Sequence, residues 1–265
     1  MNNFKLHSIS VTDYGGEGEP LIFIHAFPLC NRMWDAQVEY FKDKYRVITY
    51  DARGLGYSNE LVNYLFTMED HVNDLLSIIE HLKLENVHAC GLSMGGYILM
   101  RSVLKDPSKF RSLILAGTKA ENDNNAALIS RSESIIKIRS GGKEKFLEEF
   151  LRKLISDDSY HNKEIRNFVD MILNWADENG ICSNQLAIAT RTNSFYLLKE
   201  ILIPVLVVVG REDILTPVIN SFNMKEELKN SEFKVIDKAG HLCNIDKPSE
   251  FNEAVESFLK SKIIT

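Results

Sequence analysis

Short apolar runs rich in β-branched residues recur along the chain, separated by amphipathic stretches of helix length. Six of these runs predict strands: Leu21–His25, Tyr45–Tyr50, Val87–Gly91, Arg111–Ala116, Pro204–Gly210 and Phe233–Ile236. Several are apolar almost throughout, the pattern of strands covered on both faces. Between them, Asn31–Lys42, Thr67–Leu82, Gly95–Lys105, Pro217–Lys229 and Ser249–Ser261 predict helices. In the second of these, Val72, Leu75, Leu76, Ile79 and Leu82 fall on one face. Pro217 and Pro248 sit at helix starts, where a missing backbone N–H costs little. Alternating strand and helix predicts an α/β fold, a mostly parallel central sheet with helices on both faces. The opening segment, Phe4 to Tyr14, is expected to add an antiparallel hairpin at one edge.

The alternation breaks between about Lys119 and Tyr196. Helical patterns there cover Ala126–Arg139, Lys143–Ile155, Lys163–Ala176 and Asn184–Thr192, punctuated by Gly141-Gly142, Asp157-Asp158 and Asn179-Gly180. The expected division is a core of residues 1–118 and 197–265 and an inserted, all-helical cap of residues 119–196. Such a cap would lie over the C-terminal edge of the sheet, where ligands bind in open α/β sheets. Its apolar side chains, among them Leu128, Ile135, Phe146, Phe150, Ile172 and Trp175, predict an enclosed, mostly apolar pocket for small or medium uncharged acyl groups.

Composition narrows the partners. The 265 residues are 45% hydrophobic and 26% charged, ordinary for a soluble globular protein. A net charge of −6 argues against nucleic acid, which selects basic stripes. The longest apolar stretch, Ile201–Val209, is interrupted by Pro204 and is far short of the roughly 20 residues that span a bilayer. The N-terminus does not read as a signal peptide. Cys30, Cys90, Cys182 and Cys243 are scattered without a CxxC pair, which predicts neither a disulfide framework nor a zinc site and fits a reducing, cytoplasmic setting. The expected partner is a small-molecule substrate, with no metal or organic cofactor and no membrane, and a homodimer is admitted.

Candidate chemistry centres on Gly91-Leu92-Ser93-Met94-Gly95, a G-x-S-x-G sequence between a predicted strand and a predicted helix. A serine there must occupy a very tight turn whose flanking glycines remove clashing Cβ atoms. The bland reading is a helix cap; the functional one is a nucleophile at a helix N-terminus that favours developing negative charge. A serine hydroxyl needs a base. Of seven histidines, His241 alone occupies a loop at the C-terminal edge late in the chain, as the order Ser…Asp…His requires. His7 falls in the edge hairpin, His88 inside a strand, and His71, His81 and His161 in polar surroundings that read as exposed. Asp213, after the strand ending at Val209, is the candidate for orienting the imidazole; neighbouring Glu212 is its rival, and the choice leans on the family pattern below. The oxyanion-hole donors are expected to be the backbone N–H groups of Met94 and Phe27. Cys243 reads as passive, since nothing around it suggests an activated thiolate.

These residues fall into ordered blocks: His25-Ala26-Phe27-Pro28-Leu29, Asp51-Ala52-Arg53-Gly54-Leu55-Gly56-Tyr57-Ser58, Gly91 to Gly96, Gly210-Arg211-Glu212-Asp213 with Thr216-Pro217, and Ala239-Gly240-His241. Together they resemble the α/β-hydrolase superfamily, and within it the small capped carboxylesterases, enol-lactonases and cofactor-free haloperoxidases. The resemblance implies Ser93, Asp213 and His241 as a catalytic triad cutting a small ester, lactone or thioester through an acyl-enzyme. It also implies that Asp51 and Arg53 shape a nearby loop and that His25 supports the oxyanion loop. Ala26 stands where the family commonly has glycine, which requires a negative φ at that position. Serine at position 93 disfavours the aspartate-nucleophile chemistries of the superfamily. A slow ligand-sensing receptor and a C–C hydrolase or lyase are the alternatives that use the same residues; an intact triad argues against an inactive scaffold.

Overall fold

The computed structural model describes residues 1–61 and 65–263. Its strands are β1 (Asn2–Leu6), β2 (Ile9–Asp13), β3 (Pro20–Ile24), β4 (Arg46–Tyr50), β5 (Val87–Leu92), β6 (Phe110–Ala116), β7 (Val205–Gly210) and β8 (Ser231–Ile236). They form one sheet in the order β1-β2-β4-β3-β5-β6-β7-β8. The expected edge hairpin is β1–β2, which joins β4 antiparallel; β4, β3 and β5 to β8 run parallel. Every residue of β5 and β7 is buried. Successive side chains point to opposite faces, so these strands are covered on both, as their unbroken apolar pattern demands.

Helices α1 (Asp35–Phe41), α2 (Met68–His81) and α3 (Met94–Lys105) cross between the early strands. A capping box starts α2, with the Thr67 N–H donating to Asp70 Oδ2 at 2.7 Å. One residue of α2 departs from expectation. His71, read as exposed, is fully buried beside the Phe66 ring, because it lies one residue before Val72 on the face that α2 turns inward.

Between β6 and β7 lie five helices: α4 (Asn125–Lys137), α5 (Lys143–Leu154), α6 (Asp157–His161), α7 (Lys163–Asn174) and α8 (Glu178–Ala189). Gly141, at φ +83°, breaks the chain between α4 and α5 as its sequence suggests. Two other punctuation marks are helical instead. Asp157-Asp158 opens α6 because the Ser156 hydroxyl caps it, accepting from the Ser159 N–H. Asn179-Gly180 falls inside α8, which Asp177 caps six residues earlier than the pattern suggests. Gly180 lies close to the loop after β4, where a Cβ on Gly54 would stand 3.4 Å from Gly180 Cα. The chain returns to the sheet through β7, α9 (Val218–Glu227), β8, a short turn α10 (Cys243–Asp246) and α11 (Pro248–Ile263). Among the described residues, no helix is long and apolar enough to cross a membrane.

Candidate active site

Ser93 sits between β5 and α3 at φ 55°, ψ −111°, a conformation that L-residues adopt only when their surroundings force it. The forcing is visible on both sides. A Cβ on Gly91 would lie 2.4 Å from the Gly95 carbonyl, and one on Gly95 would lie 2.3 Å from Ile24 O. The turn is pinned by Ser93 N–H donating to Ala116 O at 2.9 Å and Thr118 Oγ1 donating to Ser93 O at 2.8 Å. Among the described residues, neither the Met94 N–H nor the Phe27 N–H has a hydrogen-bond partner.

His241 and Asp213 come from the turns after β8 and β7. Their side chains meet at 2.8 Å, His241 Nδ1 to Asp213 Oδ2, and both are buried. Asp213 is further held by the backbone N–H groups of Leu215 and Thr216, each at 2.9 Å to Oδ1, and by the Thr216 hydroxyl at 2.7 Å to Oδ2. Burial raises its pKa, but the attraction of His241 and the Thr216 bonds outweigh that cost and hold it below the usual carboxylate range. Glu212 is exposed and touches neither group, which separates it from its neighbour on geometry alone. Thr216 is a contributor that sequence reasoning quoted without giving it a role.

Supporting loops follow the expected division of labour. His25 bridges the loops after β3 and β4: Nε2 accepts from the Ala52 N–H at 2.8 Å, so Nδ1 carries the proton and donates to Ala26 O at 2.9 Å. Burial pushes this imidazole down to about 4, so it stays neutral. Asp51 accepts from the N–H groups of Asn31 and Tyr57 at 2.7 and 2.9 Å, and Arg53 grips Asp74 through two bonds. Ala26 is not among the residues with positive φ, so its methyl group is accommodated without strain.

The loop carrying His241 is tied on both sides to the helical segment. Leu242 N–H donates to Leu154 O at 2.8 Å. Asp246 Oδ2 accepts from Gly240 N–H at 2.6 Å and from Ser156 N–H at 2.9 Å. The contact is so close that a Cβ on Gly240 would lie 2.8 Å from the backbone of Ile155 and Ser156. Nothing in the local sequence signals this role for Asp246.

Ser93 and His241 open onto one cavity of about 170 Å³, whose other walls include Phe27, Tyr97, Phe150 and Ile188. Of the six apolar cap side chains named from the sequence, Phe150 lines it, while Ile172 packs wholly inside and Trp175 meets the Tyr57 ring edge-on. The expectation of a mostly apolar pocket is corrected here, because Lys119, Asp123 and Arg131 also line it. These residues lie on the loop after β6 and on α4, where helix packing rather than a motif decides which way they point. Cys243 lies buried nearby, its thiol pushed far up by burial, and takes no part in the cavity. Among the described residues, no group of three or more His, Cys, Asp or Glu side chains is arranged to hold a metal ion.

The family model of the alpha/beta hydrolase fold matches residues 19–248. A 3-oxoadipate enol-lactonase of Acinetobacter baylyi is 28% identical over 98% of this chain and 96% of its own length. Among solved structures, a thermophilic esterase of Thermogutta terrifontis with malate bound superposes with a TM-score of 0.90 at 31% identity, covering 96% of this chain and 93% of that one. A bromoperoxidase of Bacillus anthracis superposes at 0.85 and 27% identity, covering 95% of each chain. With the sheet order, the strained serine turn and a match across most of its length, this chain belongs to the alpha/beta hydrolase family.

Proposed function

We propose that the chain is a serine hydrolase of small esters or lactones, with Ser93 as nucleophile, His241 as base and Asp213 as the group that orients it. The observation that carries this reading is Ser93 on its strained turn, sharing a cavity with a His241 whose Nδ1 is already bonded to a buried carboxylate. With Nδ1 so occupied, Nε2 is the nitrogen left to take the Ser93 proton. Ser93 Oγ then bonds to the substrate carbonyl carbon, and the oxygen turns toward the N–H groups of Phe27 and Met94. The C–O bond breaks as His241 returns the proton to the departing oxygen. Water, deprotonated by the same imidazole, releases the acid and frees Ser93. The enol-lactonase and esterase similarities support this chemistry. Residues 119–196 serve as a cap in this reading, since Phe150, Ala127 and Ile188 close the cavity. The experiment is Ser93→Ala, which should abolish both ester hydrolysis and labelling by a fluorophosphonate while circular dichroism stays unchanged. Full labelling of the variant would assign the nucleophile elsewhere.

A further inference from the structure

The cavity that holds Ser93 is also lined by a charge imbalance that the hydrolytic reading does not use. Three cations surround one carboxylate: Lys119 Nζ lies 3.3 Å from Asp123 Oδ1, Arg131 Nε 2.5 Å from Oδ2, and Arg191 Nη2 3.0 Å from Oδ1. Burial raises the Asp123 pKa, but the two arginines outweigh it and hold the carboxyl far below its usual range, so it is ionised. Glu121 offers Arg191 its backbone carbonyl, and even with its carboxylate counted the cluster stays net positive.

The three cations are not equivalent. Arg191 is almost fully buried and spent: it donates to Ile188 O, Glu121 O and Asp123, and its guanidinium lies 4.2 Å over the Tyr97 ring. It is a structural member. Arg131 gives Nε to Asp123 and Nη1 to Gln185 Oε1, and its Nη2 makes no further hydrogen bond among the described residues. Among the described residues, Lys119 has only the long ion pair to Asp123 and no hydrogen bond, which leaves its ammonium donors unspent. Both Lys119 and Arg131 line the cavity that holds Ser93, and each side chain is 22% exposed.

Partly desolvated cations with spare donors are costly unless an anion meets them. Their placement in a chain of net charge −6 sets them apart from the general surface. We propose that Lys119 and Arg131 form an anion subsite, and that the substrate is an ester or lactone that also bears a carboxylate. The proposal rests on the reading of Ser93 as nucleophile. The cavity of about 170 Å³ keeps the two functions close, so the carboxylate lies a few bonds from the carbonyl that Ser93 attacks. The specificity expected is therefore for short half-esters or lactone acids, the reverse of the uncharged acyl group that the cap's apolar residues suggest.

The test compares ethyl hydrogen glutarate with its neutral isostere, in which an isopropyl group replaces the carboxylate. Wild type should favour the half-ester by roughly tenfold or more in kcat/KM, the scale of a charge-assisted hydrogen bond. Lys119→Met should collapse that ratio toward unity, chiefly through KM for the half-ester, and Lys119→Arg should restore most of it. Fluorophosphonate labelling of each variant at full stoichiometry shows that the site is still assembled. If wild type cuts the isostere as well as the half-ester, or if the ratio survives Lys119→Met, the subsite is wrong and the Ser93 reading stands. If neither ester is cut and Ser93 is not labelled, the hydrolase reading falls and takes the subsite with it.

Discussion

On one wall of the cavity, Ser93, Thr216 and His241 project from turns that end strands of the sheet; on the other, Asp123, Arg131 and Phe150 project from the helical segment between β6 and β7. Backbone hydrogen bonds and missing Cβ atoms fix the first wall, and the Ser93 turn tolerates glycine alone at Gly91 and Gly95. Side-chain packing and a four-residue charge cluster fix the second. The difference teaches where chemistry and where choice reside. A reacting group must be aimed by the main chain, whereas a recognition group needs only a neighbour to lean on.

The sharpest break in that comparison is Asp213→Asn, which should lower kcat/KM by about ten-thousandfold by favouring the wrong imidazole tautomer. Steady-state kinetics beside Glu212→Gln, expected within twofold of wild type, measures it. Next comes Asp246→Ala, which removes the shared acceptor between the two walls. It should cost about 1–3 kcal/mol of stability, since two buried N–H groups lose their partner. A fall in kcat of about tenfold, with KM nearly constant, should accompany it as the base loses its register. Unchanged kcat in a variant of lowered Tm would leave Asp246 a purely structural role.

A third prediction concerns pH. Burial holds His71 down to about 3, with the Asn184 carboxamide of α8 beside it. In the unfolded chain its pKa returns to about 6.5. The folded group stays neutral, so its stabilisation is complete above pH 6.5 and is lost as pH falls toward about 3. His25, held at about 4, acts in the same direction; Asp51, raised to about 6, opposes both as pH falls from 6. Wild type should therefore lose stability faster on acidification than His71→Leu, by about 1.4 kcal/mol per pH unit between pH 6 and 4. Urea unfolding of the two proteins across that range reads the difference, and parallel curves would refute it. The smallest effect belongs to the outer face of the helical segment. Lys137→Met breaks an exposed pair with Glu149 and should leave the urea midpoint nearly unchanged in the same assay.

The first wall was legible in the sequence, and the reason is geometric. Gly91 and Gly95 around Ser93 leave a readable pattern because other residues collide there. His241 stands out by its place after the last strand, whereas Asp213 was told from Glu212 only with the help of the family resemblance, and the bond to His241 separates the two. The strands themselves emerged within a residue or two of their bounds, because burial on both faces demands unbroken apolar runs. His71 misled because its polarity was read without its phase on α2. The second wall left no such trace. Lys119, Arg131 and Arg191 lie 4, 8 and 68 residues from Asp123 and meet it only through helix packing. A charged residue on a helix looks the same in sequence whether it meets water or a substrate.

The paired seam between residues 154–156 and 240–242 has a kinetic corollary. Lifting Leu154 and Ser156 away must rupture the bond to Leu242 and halve the grip of Asp246, on either side of His241. Parting that flank therefore loosens the loop that carries His241, while the bond from His241 Nδ1 to Asp213 remains. On the reading of His241 as the base, an acyl-enzyme parted along this seam should turn over more slowly than one in which the seam is shut.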